Sequence, residues 1–213
     1  MSILKFGIKL SEDYSKISNN IATALLPQVK AYFQKSILGL DEKIAEIIIN
    51  SIMSQPEYGS LISGTLQYEF GIPESSSRIS EILNRIRENR IVQIKNPTIS
   101  GSKINASIKI QMVQNDFDDL ISLGASKVVS EKGTDLNWLK WLLLEGDTII
   151  IGDYHVVLGA SPRSRTGMAV MVRGGSWRVP PEYAGNIKNN WITRAIDGAS
   201  EQINKTILAA IGE

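Results

Sequence analysis

The stretch TIIIGDYHVVLGASPRSRTGMAVMVRGGSWRVPPEYAGNIKNNWITRAIDGA, Thr148 to Ala199, carries the signals that settle the fold class. Two apolar runs, Thr148–Ile151 and His155–Leu158, are split at Gly152-Asp153, and a third, Met168–Val172, follows the polar segment Ser161–Gly167. Short Ile/Val-rich runs bounded by glycine and aspartate read as strands. Gly174-Gly175-Ser176-Trp177-Arg178 and Val179-Pro180-Pro181 predict a rigid aromatic-basic loop, since proline fixes φ. From Asn186 or Asn190 the pattern becomes helical to Ile211, with Ile192, Ile196, Ile203, Ile207 and Leu208 roughly on one face. A small sheet of adjacent strands, a loop and a closing helix are therefore expected here.

Upstream, apolar spacing predicts helices. Tyr14, Ile17, Ile21 and Leu25 fit a helix capped by Ser11 that Pro27 kinks or ends, resuming over Val29–Ile37 and stopping at Gly39. Asp41 is the expected N-cap of a helix through Met53. Leu61, Thr65, Tyr68, Phe70 and Ile72 predict one short helix closing on Gly71 in the left-handed conformation. Ser75-Ser76-Ser77 precedes a further helix ending near Asn89, whose Arg78, Arg85, Arg87 and Arg90 interleave with Glu81 and Glu88 as a solvated face. These helices pack either on the chain's own core or, for the first, on a neighbouring subunit.

At Arg90 the period changes to two. Ile91, Val92 and Ile94 predict a strand, 97–103 a Gly/Ser loop, and Ile104–Val113 a second strand. In that strand Ile104, Ala106, Ile108, Ile110 and Met112 alternate with polar residues, which predicts one face in the core and one in water. Asp116–Leu123 reads as a short helix, and Thr134 or Asp135 caps another through Leu144, apolar on most sides and buried against the sheet. The expectation is an α+β fold: N-terminal helices, a small mainly antiparallel sheet and a C-terminal helix. Residues 1–213 read as one compact unit, 1–89 mostly helical and 90–213 sheet plus C-terminal helix.

Composition narrows the function. The 213 residues are 43% hydrophobic and 21% charged, ordinary for a globular chain. A net charge of +1 argues against general polyanion binding, so any nucleic-acid contact must come from local clustering. The chain has no cysteine, which excludes disulfides, thiolate metal sites and a cysteine nucleophile. The N-terminus lacks the apolar core of a signal peptide, and apolar runs reach only about five residues, far below the ~20 that span a bilayer. A chain made inside the cell and without a membrane anchor is expected.

No residue set points to catalysis. His155 lies two residues after Asp153 and six before Ser161, but no Gly-x-Ser-x-Gly elbow accompanies it, and a structural histidine is the simpler reading. Asp116, Asp118 and Asp119 cluster without a calcium-loop spacing and fit first-turn acids of a helix. No metal, cofactor or catalytic residue is predicted. What remains is the segment Ser161–Pro181, with Arg163, Arg165, Arg173 and Arg178 and no acid. Its arginines fit phosphates and Trp177 fits stacking on a base. They fit equally a protein–protein hot spot, or internal roles.

Two segments resemble virion proteins of long-tailed bacteriophages: GSLISGTLQYEFGIPE, Gly59 to Glu74, and SRTGMAVMVRGGSWRVPPEYAGNIKNNWITRAI, Ser164 to Ile196. The resemblance is to neck and tail-completion (head-tail connector) proteins, which form a ring where the tail meets the head. It covers about half the chain in layout; the long helical N-terminus and the Trp-rich Asn137–Leu144 segment depart from it. The resemblance implies a structural role in the virion neck or tail, with assembly in the host cytoplasm. It implies copies of this chain as ring partners, other neck, portal or tail proteins, and packaged DNA in the channel. Trp177 and Trp191 are then the expected anchors and Arg165, Arg178 and Arg194 the charge-paired clamps, so that Trp177→Ala leaves a folded monomer and blocks assembly. The alternative is a nucleic-acid-binding protein using the Arg163–Arg178 basic loop. A small hydrolase survives only through His155.

Overall fold

The C-terminal half is assembled around a buried joint at Gly185 and Asn190. The computed structural model describes residues 13–112, 117–129 and 135–212. Asn190, fully buried, caps helix α8 (Trp191–Ile211). Its side-chain oxygen accepts from the Ile192 and Thr193 amides at 3.1 and 3.0 Å, and its own amide donates to Thr193 Oγ1 at 2.8 Å. This reciprocal box satisfies donors that a helix start leaves without partners. The Asn190 side-chain nitrogen donates to the Asn186 carbonyl at 2.9 Å and reaches back 3.4 Å to that of Leu143. The Gly185 carbonyl accepts from the Gly146 amide at 2.9 Å.

The remaining helices precede this joint. They are α1 (Tyr14–Ser36), α2 (Leu40–Met53), α3 (Pro56–Ser63), α4 (Thr65–Phe70) and α5 (Ser75–Glu88). After two strands come α6 (Asp118–Ile121), a 3₁₀ turn Gly124–Ser126 and α7 (Trp138–Lys140), which runs into a π-helical turn, Trp141–Glu145. Ile44, Ile48 and Ile52 of α2, Leu61, Leu66 and Phe70, and Ile79, Ile82 and Ile86 of α5 fill the core together with Trp138, Leu139 and Leu142. α2 and α8 pack along one another, and Ser51 Oγ donates to the Ala195 carbonyl at 2.7 Å across them.

Among the described residues the strands form three antiparallel pairs: β1 (Arg90–Ser100) with β2 (Lys103–Met112), β3 (Val128–Val129) with β4 (Asp135–Leu136), and β5 (Ile149–Leu158) with β6 (Ala169–Arg178). Described residues thus show the expected α+β class, with helices first, antiparallel strands and a C-terminal helix. Glycine 71 is left-handed as expected (φ 63°), with amides of Ile72 and Gly71 bonded back to Gln67 and Tyr68. The helix expected at the serine triplet is α5, which begins at Ser75 itself and is capped by Asn89. Its exposed Arg85–Glu88 pair fits the solvated face, whereas half-buried Arg78 turns inward and donates to the carbonyls of Pro73, Gly124 and Lys127.

Several local expectations are corrected. Pro27 lies inside an uninterrupted α1, and the cap of that helix is Asp13, Ser11 falling outside the described residues. α2 starts one residue before Asp41, after left-handed Gly39, leaving Asp41 and Glu42 as first-turn acids. The Leu61–Ile72 helix breaks in two at Gly64, where a Cβ would sit 2.8 Å from the Ser60 Cα. Instead of a loop at 97–103, β1 runs through buried Pro97 with a bulge between Lys95 and Thr98, and the turn is the two residues Gly101-Ser102. The face of β2 is not a core face: Ile104 and Ile108 are half-buried and Ala106 exposed, because the hairpin lies mainly against α1. Val113 and Asp116 lie outside the described residues, and the short helix keeps Asp118 and Asp119 in its first turn. Asp135 belongs to β4 rather than capping a helix, Thr134 is outside the described residues, and Asn137 caps α7. That segment packs among α6, the 3₁₀ turn and α8 instead of a sheet.

At Gly185 a Cβ would stand 2.3 Å from the Leu142 carbonyl oxygen and 2.8 Å from the Asn190 Cβ. Gly185→Ala should therefore destabilise the protein by about 1–3 kcal/mol, read as a lowered urea midpoint at unchanged m-value.

Candidate functional site

The segment that sequence analysis singled out is an extended hairpin. β5 is one strand through Gly152-Asp153, and β6 takes in Gly174–Arg178, so the expected rigid loop is instead the second half of a strand. β6 carries one residue more than β5 at this point: Asp153 (φ 60°) faces both Gly174 and Gly175 (φ 107° and 74°), a bulge after which the pairing resumes. His155 sits beside it, and its Nδ1 lies 2.7 Å from the Gly174 carbonyl. A carbonyl only accepts, so Nδ1 carries the proton and the ring clamps the bulge.

Register assigns side chains to faces. Tyr154 opposes Arg173, Val156 opposes Met171 and Leu158 opposes Ala169; His155 opposes Val172 and Val157 opposes Val170. Both faces of the outer ribbon are therefore apolar. Tyr154, Val157, Leu158, Met171 and Val172 are all exposed, as are Ile149, Ile151 and Met168. A ribbon with one wet face would alternate apolar with polar residues. This one presents hydrocarbon in both directions, and a two-stranded hairpin by itself is only marginally stable.

The seven residues expected to interact divide into two groups. Arg163, Arg165, Arg173 and Arg178 are exposed: the first two in the turn 159–168, Arg173 on the ribbon and Arg178 at its base opposite Ile149. Arg165 uses one nitrogen, 2.8 Å from the Val129 carbonyl, to tie the turn to β3. Beside it lies a hollow of about 320 Å³ lined by Pro73, Arg78, Val129, Asp135 and Arg165.

Trp177 and Trp191 are inside the protein, which corrects their assignment as anchors for a partner, and half-buried Arg194 is charge-paired within the chain. Trp177 is only 5% exposed and meets Phe70 edge-on at 5.3 Å. Trp191 is fully buried in the first turn of α8. Arg194 pairs with the fully buried Glu57 of α3 and donates to Asn189 Oδ1 at 3.1 Å. Pro180-Pro181 lead from β6 through buried Val179 into the turn before Asn190, an internal connection. Neither tryptophan's indole nitrogen has a hydrogen-bond partner.

Glu69 adjoins Trp177. Burial holds its carboxyl above the ordinary carboxylate range; the nearby Trp177 side chain pulls it part of the way back, and the charge of Glu182 pushes it up. That Trp177 contact falls outside hydrogen-bond geometry and leaves Nε1 without a partner.

Among the described residues no cluster of acids and histidine is arranged to hold a metal ion, and no helix is long and apolar enough to cross a membrane. Comparison of the chain with protein-family models, curated proteins and solved structures finds no match.

Removing the buried indole should leave a large cavity. Trp177→Ala is expected to cost about 3–5 kcal/mol of stability, seen as a much lower melting temperature of the isolated chain. A variant that melts with the wild type would contradict the core placement. For Glu69, the raised folded-state pKa means that the folded protein takes up its proton at higher pH than the unfolded chain. Its destabilising effect is thus complete above the raised value and disappears as pH falls to the ordinary carboxylate range. Glu69→Gln should stabilise the protein at neutral pH, and denaturation midpoints against pH should show the gain shrinking through that window.

Proposed function

We propose that this chain is a structural subunit of a tailed-phage virion, placed in the ring at the neck or tail-completion position that joins tail to head. The observation that carries the reading is the β5–β6 ribbon, apolar and exposed on both faces. A protein stable in isolation has no use for such a ribbon, because exposed contiguous apolar surface marks an interaction site. Helix α1 adds a second such surface: Tyr14, Ile21, Leu25 and Tyr32 are exposed at intervals of seven, four and seven residues. That is the 3.5-residue spacing of a helix seam that packs on another helix. The segments Gly59–Glu74 and Ser164–Ile196, on which the resemblance to neck proteins rests, supply the choice of assembly. In this reading the protein's work is mechanical and needs no catalytic group. Its partners are copies of itself and other neck, portal or tail proteins, in a particle assembled in the host cytoplasm.

The nucleic-acid alternative keeps the exposed Arg163, Arg165, Arg173 and Arg178 as phosphate contacts but loses Trp177, buried against Phe70, as a stacking platform. Without Trp177, binding would rest mainly on charge and fall steeply with salt.

Peptide mass fingerprinting of purified particles should find this chain in the virion, and particles assembled without it should accumulate as separate heads and tails. Normal joined particles lacking the chain would refute the neck role. Salt-sensitive duplex DNA binding by the free protein would then favour the alternative.

A further inference from the structure

The ribbon's charge identifies what it meets. Ile149–Arg178 carries four arginines, all exposed, against the single acid Asp153. Within Ser161–Pro181 there is no acid, so that segment is +4, while the remaining 19 lysines and arginines stand against 22 acids, a balance of −3. The packed helix pair α2–α8 carries part of it, five acids against three bases, or −2. There Asp41, Glu42, Glu46, Asp197 and Glu201 are exposed against Lys43 and Lys205, the latter paired with Glu201 at 2.6 Å, and half-buried Arg194 is already taken by the buried Glu57.

We infer that the ribbon docks on the α2–α8 face of a second copy of this chain, head to tail. The inference rests on the reading of the protein as an assembling subunit and specifies its self-contact. The apolar faces require cover, and charge decides whose surface provides it. Ribbon against ribbon, as in a two-fold dimer, would bring the arginines of both copies together, and like charges facing across an interface oppose association. Ribbon against the acidic helix pair sets opposite charges together while Val157, Leu158 and Met171 leave water. Such a contact joins two different patches, so it repeats from copy to copy and either closes into a ring or runs on as a filament.

Two variants separate the halves of the contact. Val157→Asp with Met171→Asp spoils the ribbon, and Glu46→Lys with Asp197→Lys reverses the acidic face. All four positions are exposed, so both proteins should melt with the wild type. Should the ribbon variant melt lower, Arg163→Glu with Arg173→Glu tests the same half without touching the strand's apolar residues. Light scattering should show wild-type oligomers that dissociate as salt is raised, because charge attraction at a surface is screened. Each variant alone should be monomeric. Mixed, they should recover a dimer and go no further: the intact ribbon of one protein docks on the intact face of the other, and no second contact remains. A mixture that stays monomeric, a ribbon variant that still oligomerises, or a wild type monomeric at every concentration would overturn the contact. A monomeric wild type would leave the neck reading standing, since another particle component could template the ring. Oligomers of a chain absent from the virion would do the reverse.

Discussion

The buried side chain of Asn190 ties together parts of the chain that are far apart in sequence. With one amide group it starts α8, holds the Asn186 turn and reaches the last turn of the Trp138–Glu145 segment. Gly185 lets the backbone close against the Leu142 carbonyl just beside it. A buried amide keeps its place only when its donors and acceptors are met, so these bonds hold one arrangement of α8 against the rest of the core. The ribbon depends on the same joint. β6 ends at Arg178 between buried Trp177 and Val179, and the chain runs from there through residues 180–189 to Asn190.

That anchoring gives the ribbon a fixed root and a free outer part. Trp177 sits against Phe70 in the core at one end, whereas Tyr154, Val157, Leu158, Met168, Met171 and Val172 are exposed at the other. Within β5, exposure at Val157 and Leu158 has no internal compensation, since the paired residues Val170 and Ala169 are apolar too. The bulge at Asp153 and Gly174-Gly175, with His155 bonded to the Gly174 carbonyl, lies between root and outer part and sets how one is twisted relative to the other. The fold body covers its apolar residues internally, whereas the ribbon leaves Tyr154, Val157, Leu158, Met171 and Val172 exposed.

The electrostatics follow a similar division. The half-buried cations are committed: Arg78 to four carbonyls and Arg194 to Glu57. The arginines of the turn and ribbon mostly are not, and Arg165 spends one nitrogen on Val129. Glu69 is the counterexample among acids, a carboxyl held partly out of water beside Trp177 whose ionisation works against the fold.

By its periodicity the sequence determined the helices of the first third, the change to strands at Arg90, the left-handed Gly71 and the helix that runs to Ile211. Those features are local, set by side-chain spacing and by residues with restricted backbone choices. It also marked the Arg- and Trp-bearing segment after Ser161 as unusual. What it could not determine was which side of that segment faced inward. Trp177 and Arg178 are adjacent, yet alternation along a strand sends one into the core and the other into solvent, and only the pairing register fixes which. Arg194 looked like the neighbouring surface arginines because its partner, Glu57, lies far away in sequence. The β2 face looked like a core face because an apolar alternation reads the same whatever covers it; tertiary packing placed α1 there and left it half in water.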